Sequence, residues 1–181
     1  MIACFAFLLV NTEHSKAEEA IRWESDFPSL PDPYGFAGSF AGIVYDGDSR
    51  MLIVAGGANF PYENPFDDAL NANGGQPKVW HDGVFAITLS DSALKATGNW
   101  KKLNTKLPKR LAYGASVSLP HHGTALFIGG SSVTDGNEQF SDSVYEVIAS
   151  QNTLEFKEVA PLPTGVSYTS STRIGNHVYV F

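Results

Sequence analysis

Cysteine is almost absent from this sequence, and cationic residues are scarce. The only cysteine, Cys4, lies in an apolar N-terminal stretch, so the rest of the chain can form neither a disulfide nor a thiolate metal site. Lysine and arginine number 12 against 19 acidic residues, which gives a formal net charge of -7 at pH 7. Because no basic stripe can displace counterions from phosphates, we expect no nucleic-acid partner. The same charge disfavours adsorption to anionic lipid, so we expect no membrane partner.

The sequence also lacks an apolar run long enough to span a bilayer, since the longest run covers only residues 2–10. A run of this size is typical of a secretory signal. We therefore expect residues 1–17 to be a signal peptide, with Ser15 and Ala17 as the small residues before the cut, and the protein to be periplasmic or secreted. No lysine or arginine precedes the run, so a start further upstream or a buried strand remains an alternative.

Glycine, proline and aromatic residues are plentiful, which favours short strands joined by tight turns. They recur in a fixed order: an aromatic residue, then Leu-Pro, then an apolar strand that ends in Gly-Gly. This period predicts repeated four-stranded antiparallel blades of a β-propeller. The copies are Trp23, Leu30-Pro31 and Gly56-Gly57; Trp100, Leu107-Pro108 and Gly129-Gly130; and Phe156 with Leu162-Pro163, before the sequence ends at Phe181.

The repeats predict an all-β fold, a partial propeller of about two and a half four-stranded antiparallel blades. The blade-like repeats lie at about 30–103, 107–159 and 162–181 within an incomplete propeller over 18–181, and residues 21–25 form an orphan outer strand. Residues 58–78 and 131–140 are predicted to be loops. Because so few blades cannot close a ring, we expect either a fragment or self-association through an open strand edge. The predicted strands are 38–45, 51–55, 83–89, 100–103, 114–119, 125–128, 143–149, 154–159, 167–174 and 177–181.

Four stretches carry a resemblance to a known family: residues 34–42, the Gly-Gly-Ala-Asn-Phe-Pro run that ends at Pro61, Lys78-Val-Trp-His-Asp82, and Leu111-Ala-Tyr-Gly114. They resemble kelch-type propellers and, within these, the sialic acid mutarotases or N-acetylneuraminate epimerases, especially their cyclically permuted branch. The resemblance covers about the first half of a six-bladed member.

The resemblance implies an exported carbohydrate isomerase that interconverts the α and β anomers of N-acetylneuraminate, a small sugar acid, by acid/base ring opening. It implies no cofactor and no metal. The family's proposed base is a glutamate in a later blade, and no residue here matches it. The alternatives are a non-catalytic kelch module that binds a glycan or a protein, and a truncated product that does not fold stably.

Ring opening needs a base for the anomeric hydroxyl, an acid for the ring oxygen and a cation for the substrate carboxylate. In an antiparallel meander, the Leu-Pro loops and the loops after Gly-Gly share one face. Arg110 on that face is the candidate for binding the carboxylate, the alternative being a plain surface arginine. Asn59 is the candidate for a sugar hydroxyl or the N-acetyl group, the alternative being a turn cap.

His81 and Asp82, near the same face, are the catalytic candidates, because a histidine that titrates near neutrality can move a proton. The alternative is a structural histidine bonded to a loop carbonyl. Tyr34 and Tyr113 precede first strands at places that we expect to be equivalent, and both are candidates for stacking on the sugar, with core packing as the alternative. Glu63 is a weaker acid/base candidate because its loop is long.

His121 and His122 fall in a turn between first and second strands, which we expect on the opposite face. Consecutive strand residues point to opposite sides, and no third ligand has suitable spacing, so no metal site is predicted there. Arg173 lies beside the equivalent turn of the third repeat and is expected to be structural.

Overall fold

The computed structural model describes residues 26–61, 78–90, 95–151 and 153–181, and within them every regular element is a β-strand. The predicted signal peptide, the orphan strand at 21–25 and Glu63 lie outside the described residues. No helix that could cross a membrane occurs in the described part of the chain.

Two four-stranded antiparallel sheets dominate the structure. The first contains β1 (Phe40–Asp46), β2 (Ser49–Ala55), β5 (Val84–Leu89) and β6 (Lys101–Lys102), in that order across the sheet. The second contains β7 (Ala115–Leu119), β8 (Thr124–Ile128), β11 (Val144–Ser150) and β12 (Thr153–Glu158), again in that order. A third sheet pairs β13 (Ser171–Ile174) with β14 (His177–Val180). The predicted partial propeller, with about two and a half antiparallel blades, is confirmed.

Each pair of neighbouring blades encloses an apolar core. Between the first two blades, Phe40 and Phe127 stack with their ring centroids 5.1 Å apart, and both are almost fully buried. Gly42 permits this approach, because a Cβ there would lie 2.7 Å from the Cβ of Ala125. Phe156, the aromatic residue of the fourth strand, packs against the same core. A smaller core around Ala115, Ile128 and Val144 joins the second blade to the third sheet.

The inner strands β1, β7 and β13 lie side by side and present unpaired backbone groups, as the edges of sheets do. Serine hydroxyls satisfy several of these groups. The amides of Ala41 and Ile43 donate to the hydroxyls of Ser116 and Ser118, at 3.1 and 2.8 Å. Ser171 donates to the Ser116 carbonyl at 2.9 Å, so serines link the three inner strands in series.

Both glycine pairs have the same backbone role. The amides of Gly56 and Gly129 donate to the residue directly before the third strand, and those of Gly57 and Gly130 donate to the loop that precedes the next blade. All four have positive φ. A Cβ on Gly56 would collide with the Leu111 carbonyl, so no larger residue fits there.

The prediction that 58–78 and 131–140 are loops is wrong at Ala58–Asn59, which form a strand, and throughout the second segment, which forms a hairpin. Beyond each glycine pair the chain continues as a two-stranded ribbon. The hairpin of the second ribbon turns at Asp135-Gly136, both with positive φ, which matches the twist of the flanking strands. The polar composition of 131–140 hid this turn signal. The ribbons pair β3 (Ala58–Asn59) with β4 (Val79–Trp80), and β9 (Ser131–Thr134) with β10 (Asn137–Phe140).

Candidate functional site

The ribbons and the loops that precede the first strands meet at one end of the blades, which we call the upper rim. The Gly57 amide donates to the Leu111 carbonyl at 2.9 Å, and Ala112 pairs with Ser131. At the opposite end, the Tyr45 amide donates to the Gly123 carbonyl. The Leu-Pro loops and the segments after the glycine pairs therefore share the upper rim, as predicted. His121 and His122 are exposed at the opposite end, as predicted.

Asn59 and His81 form a hydrogen-bonded pair on the first ribbon. The side-chain amide nitrogen of Asn59 donates to the Gly35 carbonyl at 2.8 Å, and its oxygen lies 2.8 Å from the His81 Nε2. Because the Gly35 carbonyl can only accept, the Asn59 oxygen must face the imidazole and Nε2 must donate to it. The neutral His81 ring then keeps Nδ1 unprotonated, so Nδ1 is the nitrogen available as a base.

The environment of His81 favours its neutral form. Burial lowers the pKa of His81, and the positive charge of Arg110 lowers it further, while the carboxylate of Asp32 acts in the opposite direction. The rings of Phe36 and His81 pack in a T-shaped arrangement with a centroid distance of 5.0 Å. The ring is thus held by one hydrogen bond and one aromatic contact. The alternative predicted from the sequence is a structural histidine whose ring bonds a loop carbonyl. In the structure the ring bonds the side chain of Asn59 instead.

Asp82 is engaged differently from its neighbour. Its carboxylate accepts from the Lys106 ammonium at 3.2 Å, and both residues line a cavity of about 260 Å³ together with His81. Lys102 and Asp32 also line it, so the cavity wall carries charges of both signs. Charged walls of this kind suit a polar ligand rather than an apolar one.

Arg110 is exposed on the upper rim, directly before the loop that contacts the first glycine pair. Its guanidinium makes no hydrogen bond or ion pair with any of the described residues. Its charge is nevertheless close enough to His81 to lower the pKa of that imidazole. An uncommitted guanidinium offers a planar fork that matches a carboxylate.

The two ribbons are equivalent, and their pairing aligns residues with no apparent similarity in the sequence. Trp80 pairs with Ala58, and Phe140 pairs with Ser131, the residue that follows the second glycine pair. Two residues earlier on each ribbon, Lys78 corresponds to Glu138. Each ribbon thus carries a charged residue and an aromatic residue with one residue between them, and the sign of the charge is reversed in the second ribbon.

These ribbon residues surround two stacked tyrosines on the upper rim. Tyr113 and Tyr168 stack at a centroid distance of 4.8 Å with an interplanar angle of 24°. The Lys78 ammonium lies 4.3 Å from the centroid of Tyr113 and 4.9 Å from that of Trp80. The Tyr168 hydroxyl donates to Glu138 at 2.9 Å. We call Lys78, Tyr113, Glu138 and Tyr168 the rim platform.

The expected equivalence of Tyr34 and Tyr113 is wrong. Tyr113 has a φ of 63°, and its counterparts in the neighbouring repeats are Gly38 at 64° and Tyr168 at 57°. The Tyr113 amide donates to the Gly38 carbonyl, and the Tyr168 amide donates to the Tyr113 carbonyl, each at 2.7 Å. Tyr34 lies before this position and is 61% exposed. The chain before Gly38 is longer than the chain before Tyr113, which shifts the tyrosines out of register.

Several proteins similar to this chain are named N-acetylneuraminate epimerase. The N-acetylneuraminate epimerase of Pasteurella multocida is 34% identical over 135 residues, which are 68% of this chain and 31% of that protein. The protein of the same name in Brucella suis is 37% identical over 118 residues, 61% of this chain and 26% of that protein. Over the matched residues, the chain belongs to the N-acetylneuraminate epimerase family.

The family match is partial in extent. The chain spans less than a third of the length of these two epimerases. A third N-acetylneuraminate epimerase, from Yersinia pestis, is 36% identical over 98 residues, 53% of this chain and 21% of that protein. A solved structure titled "Structure of YjhT" aligns with a TM-score of 0.49 and 27% identity, covering 72% of this chain and 33% of that one. No family model matches the chain.

The sequence analysis assigned no binding role to Lys78, Glu138 or Tyr168, although Lys78 lies in a motif that carries the family resemblance. A usable signal exists: a charged residue two positions before an aromatic one, shortly before the third strand. The two copies differ in charge and in the length of the preceding segment, so a search for identical residues does not find them. The described residues contain no group of three or more histidine, cysteine or acidic side chains that could hold a metal ion.

Proposed function

We propose that the upper rim forms part of a site that interconverts the α and β anomers of N-acetylneuraminate. The observation that carries this proposal is the 34–37% identity to relatives named N-acetylneuraminate epimerase. Because the chain spans less than a third of the length of those relatives, we propose that the rim supplies only part of the residues of such a site. The sugar acid is accordingly the proposed ligand.

The proposed chemistry is ring opening followed by reclosure. A base removes the proton of the anomeric hydroxyl, the bond from the anomeric carbon to the ring oxygen breaks, and the ring oxygen takes up a proton. Reclosure on the other face of the resulting carbonyl gives the second anomer. In this proposal the unprotonated Nδ1 of His81 is a base candidate, and its lowered pKa keeps it neutral near pH 7.

The other candidates take supporting roles. Arg110 has no partner among the described residues, so its guanidinium is free to bind the substrate carboxylate. Asn59 already bonds both the Gly35 carbonyl and His81, so we assign it as a positioning residue for the imidazole. Asp82 is paired with Lys106, which makes it a weaker base candidate than His81.

A segment exchange with a relative tests the proposal directly. The matched segment of the Pasteurella multocida epimerase is replaced by residues of this chain, and anomer exchange of N-acetylneuraminate is followed by two-dimensional exchange NMR. We expect the folded chimera to accelerate exchange above the uncatalysed rate, with the unaltered relative as the positive control. A chimera that melts cooperatively and binds the sugar without acceleration would instead favour a non-catalytic binding module.

We also propose that the protein is exported to the periplasm or secreted. The apolar run at residues 2–10, followed by Ser15 and Ala17, supports this proposal. Residues 1–25 fused to a reporter that is active only outside the cytoplasm should give reporter activity. Activity confined to a control fusion with a known signal would contradict export.

A further inference from the structure

We propose that the rim platform is a second binding surface for an acidic sugar, in addition to the contact assigned to Arg110, with Lys78 holding the carboxylate of the sugar bound there and the Glu138–Tyr168 pair holding a hydroxyl at its other end. The choice of N-acetylneuraminate as the acidic sugar rests on the proposed function. The assignment of the surface rests on the geometry of the platform itself.

The backbone of the two tyrosines is the first observation. Tyr113 and Tyr168 have φ values of 63° and 57°, in the left-handed region that is strained for a non-glycine residue. Gly38 occupies the same position in the first repeat without this strain. Tyr168 is 61% exposed, so burial gives little in return. Strain of this kind, held at an exposed aromatic residue, is typical of ligand-binding surfaces.

The second observation concerns the ammonium group of Lys78. The Lys78 ammonium lies against the faces of Tyr113 and Trp80. Among the residues that the structure describes, no hydrogen-bond or ion-pair partner occupies its N–H donors. The aromatic rings hold the ammonium in place without neutralising its charge. A carboxylate is the ligand group that such an ammonium recognises.

The third observation concerns the carboxylate of Glu138, the anionic member of the platform. Hydrogen bonds from the hydroxyls of Ser131 and Tyr168 lower the pKa of Glu138, and the charge of Lys78 lowers it further. Glu138 is therefore ionised at neutral pH and can accept from a sugar hydroxyl. Tyr168 donates to Oε1 of Glu138. Because an ionised carboxylate has about four acceptor sites on its two oxygens, Glu138 can still accept from a sugar hydroxyl.

The three parts together match the chemistry of a pyranose that carries a carboxylate. The exposed ring of Tyr168 provides an apolar surface for the C–H face of the sugar, since an aromatic ring combines a broad apolar face with a polar tip. The cation and the anion then fix the direction in which the sugar lies. A neutral sugar would leave Lys78 without a partner, so the platform should prefer the acid.

The test separates binding from catalysis by using the methyl α-glycoside of N-acetylneuraminate, whose capped anomeric oxygen prevents ring opening. Titrations of the full chain compare this acid with its neutral methyl ester. We expect the acid to bind at least tenfold more tightly than the ester. Lys78→Gln should remove most of this preference and Glu138→Gln should weaken both ligands, whereas Lys157→Gln on the outer strand β12 should change neither affinity.

The outcomes are decisive for the platform. Equal binding of the acid and the ester, unchanged preference in a folded Lys78→Gln variant, or no binding of the acid to the unaltered chain would each overturn it. The comparison of acid with ester needs no variant, so it stands even if a substitution unfolds the chain. Binding of the capped glycoside without anomer exchange in the chimera would retain the platform and refute the proposed function, and the reverse result would refute only the platform.

Discussion

Replacing Gly38 with alanine tests the backbone arrangement that holds the rim tyrosines. The Gly38 carbonyl accepts from the Tyr113 amide, and the Tyr113 carbonyl accepts from the Tyr168 amide, so Gly38 begins a series that links equivalent positions of three repeats. A Cβ on Gly38 would collide with the Tyr113 ring and lie 2.8 Å from the Tyr113 amide nitrogen. The ring can rotate away, but the amide can move only if the backbone shifts.

Two contributions set the expected loss of stability. The left-handed conformation at φ 64° costs an alanine about 1–2 kcal/mol relative to glycine. The steric overlap with Tyr113 adds about 1–3 kcal/mol, the range found for overpacking. Gly35 provides the matched control, because its φ is also 64° and a Cβ there would meet nothing within 4 Å. Gly35→Ala should therefore show the conformational cost alone.

Urea denaturation followed by tryptophan fluorescence measures both variants. We expect the free energy of unfolding to fall by about 1–3 kcal/mol more for Gly38→Ala than for Gly35→Ala, with similar urea dependence in each. The NMR signals of the Tyr113 and Tyr168 rings should move only in the Gly38 variant. Equal losses for the two substitutions would show that Tyr113 does not lie against Gly38.

Two further predictions concern the inner strands and His81. Ser118→Ala leaves the Ile43 amide without its acceptor and should lower the free energy of unfolding by about 1–3 kcal/mol in urea denaturation; an unchanged midpoint would contradict the serine link. Because burial lowers the pKa of native His81, the unfolded chain takes up this proton at a higher pH, so stability should fall as pH drops below about 6.5. His81→Gln should reduce that slope, and an identical slope would refute the assignment.

Much of the fold is predictable from the sequence because the signals are local. The amides of Leu107 and Leu162 donate to the carbonyls of Asp82 and Asp142, so the predicted Leu-Pro equivalence corresponds to the same hydrogen bond in both blades. The shared rim of Asn59 and His81 follows from counting strands in an antiparallel meander.

The rim platform depends on pairings that the sequence does not show. Lys78 and Glu138 become equivalent only when each ribbon is paired with the residues after its glycine pair, and their opposite charges conceal the relation. Gly38 follows Leu30 by eight residues, whereas Tyr113 follows Leu107 by six, so alignment from the Leu-Pro motif misplaces the tyrosines. Side-chain stacking between successive repeats leaves no periodic signal along the chain.

The most direct test of the upper rim as the functional face is an NMR titration of the chain with N-acetylneuraminate, recording backbone amide and tryptophan indole signals. We expect the largest shifts at the amides of Asn59, Tyr113 and Tyr168 and at the indole of Trp80. The amides of Gly47 and Gly123, in the turns at the opposite end, should not move. Shifts confined to those turns, or no shifts at saturating sugar, would contradict the assignment of the upper rim.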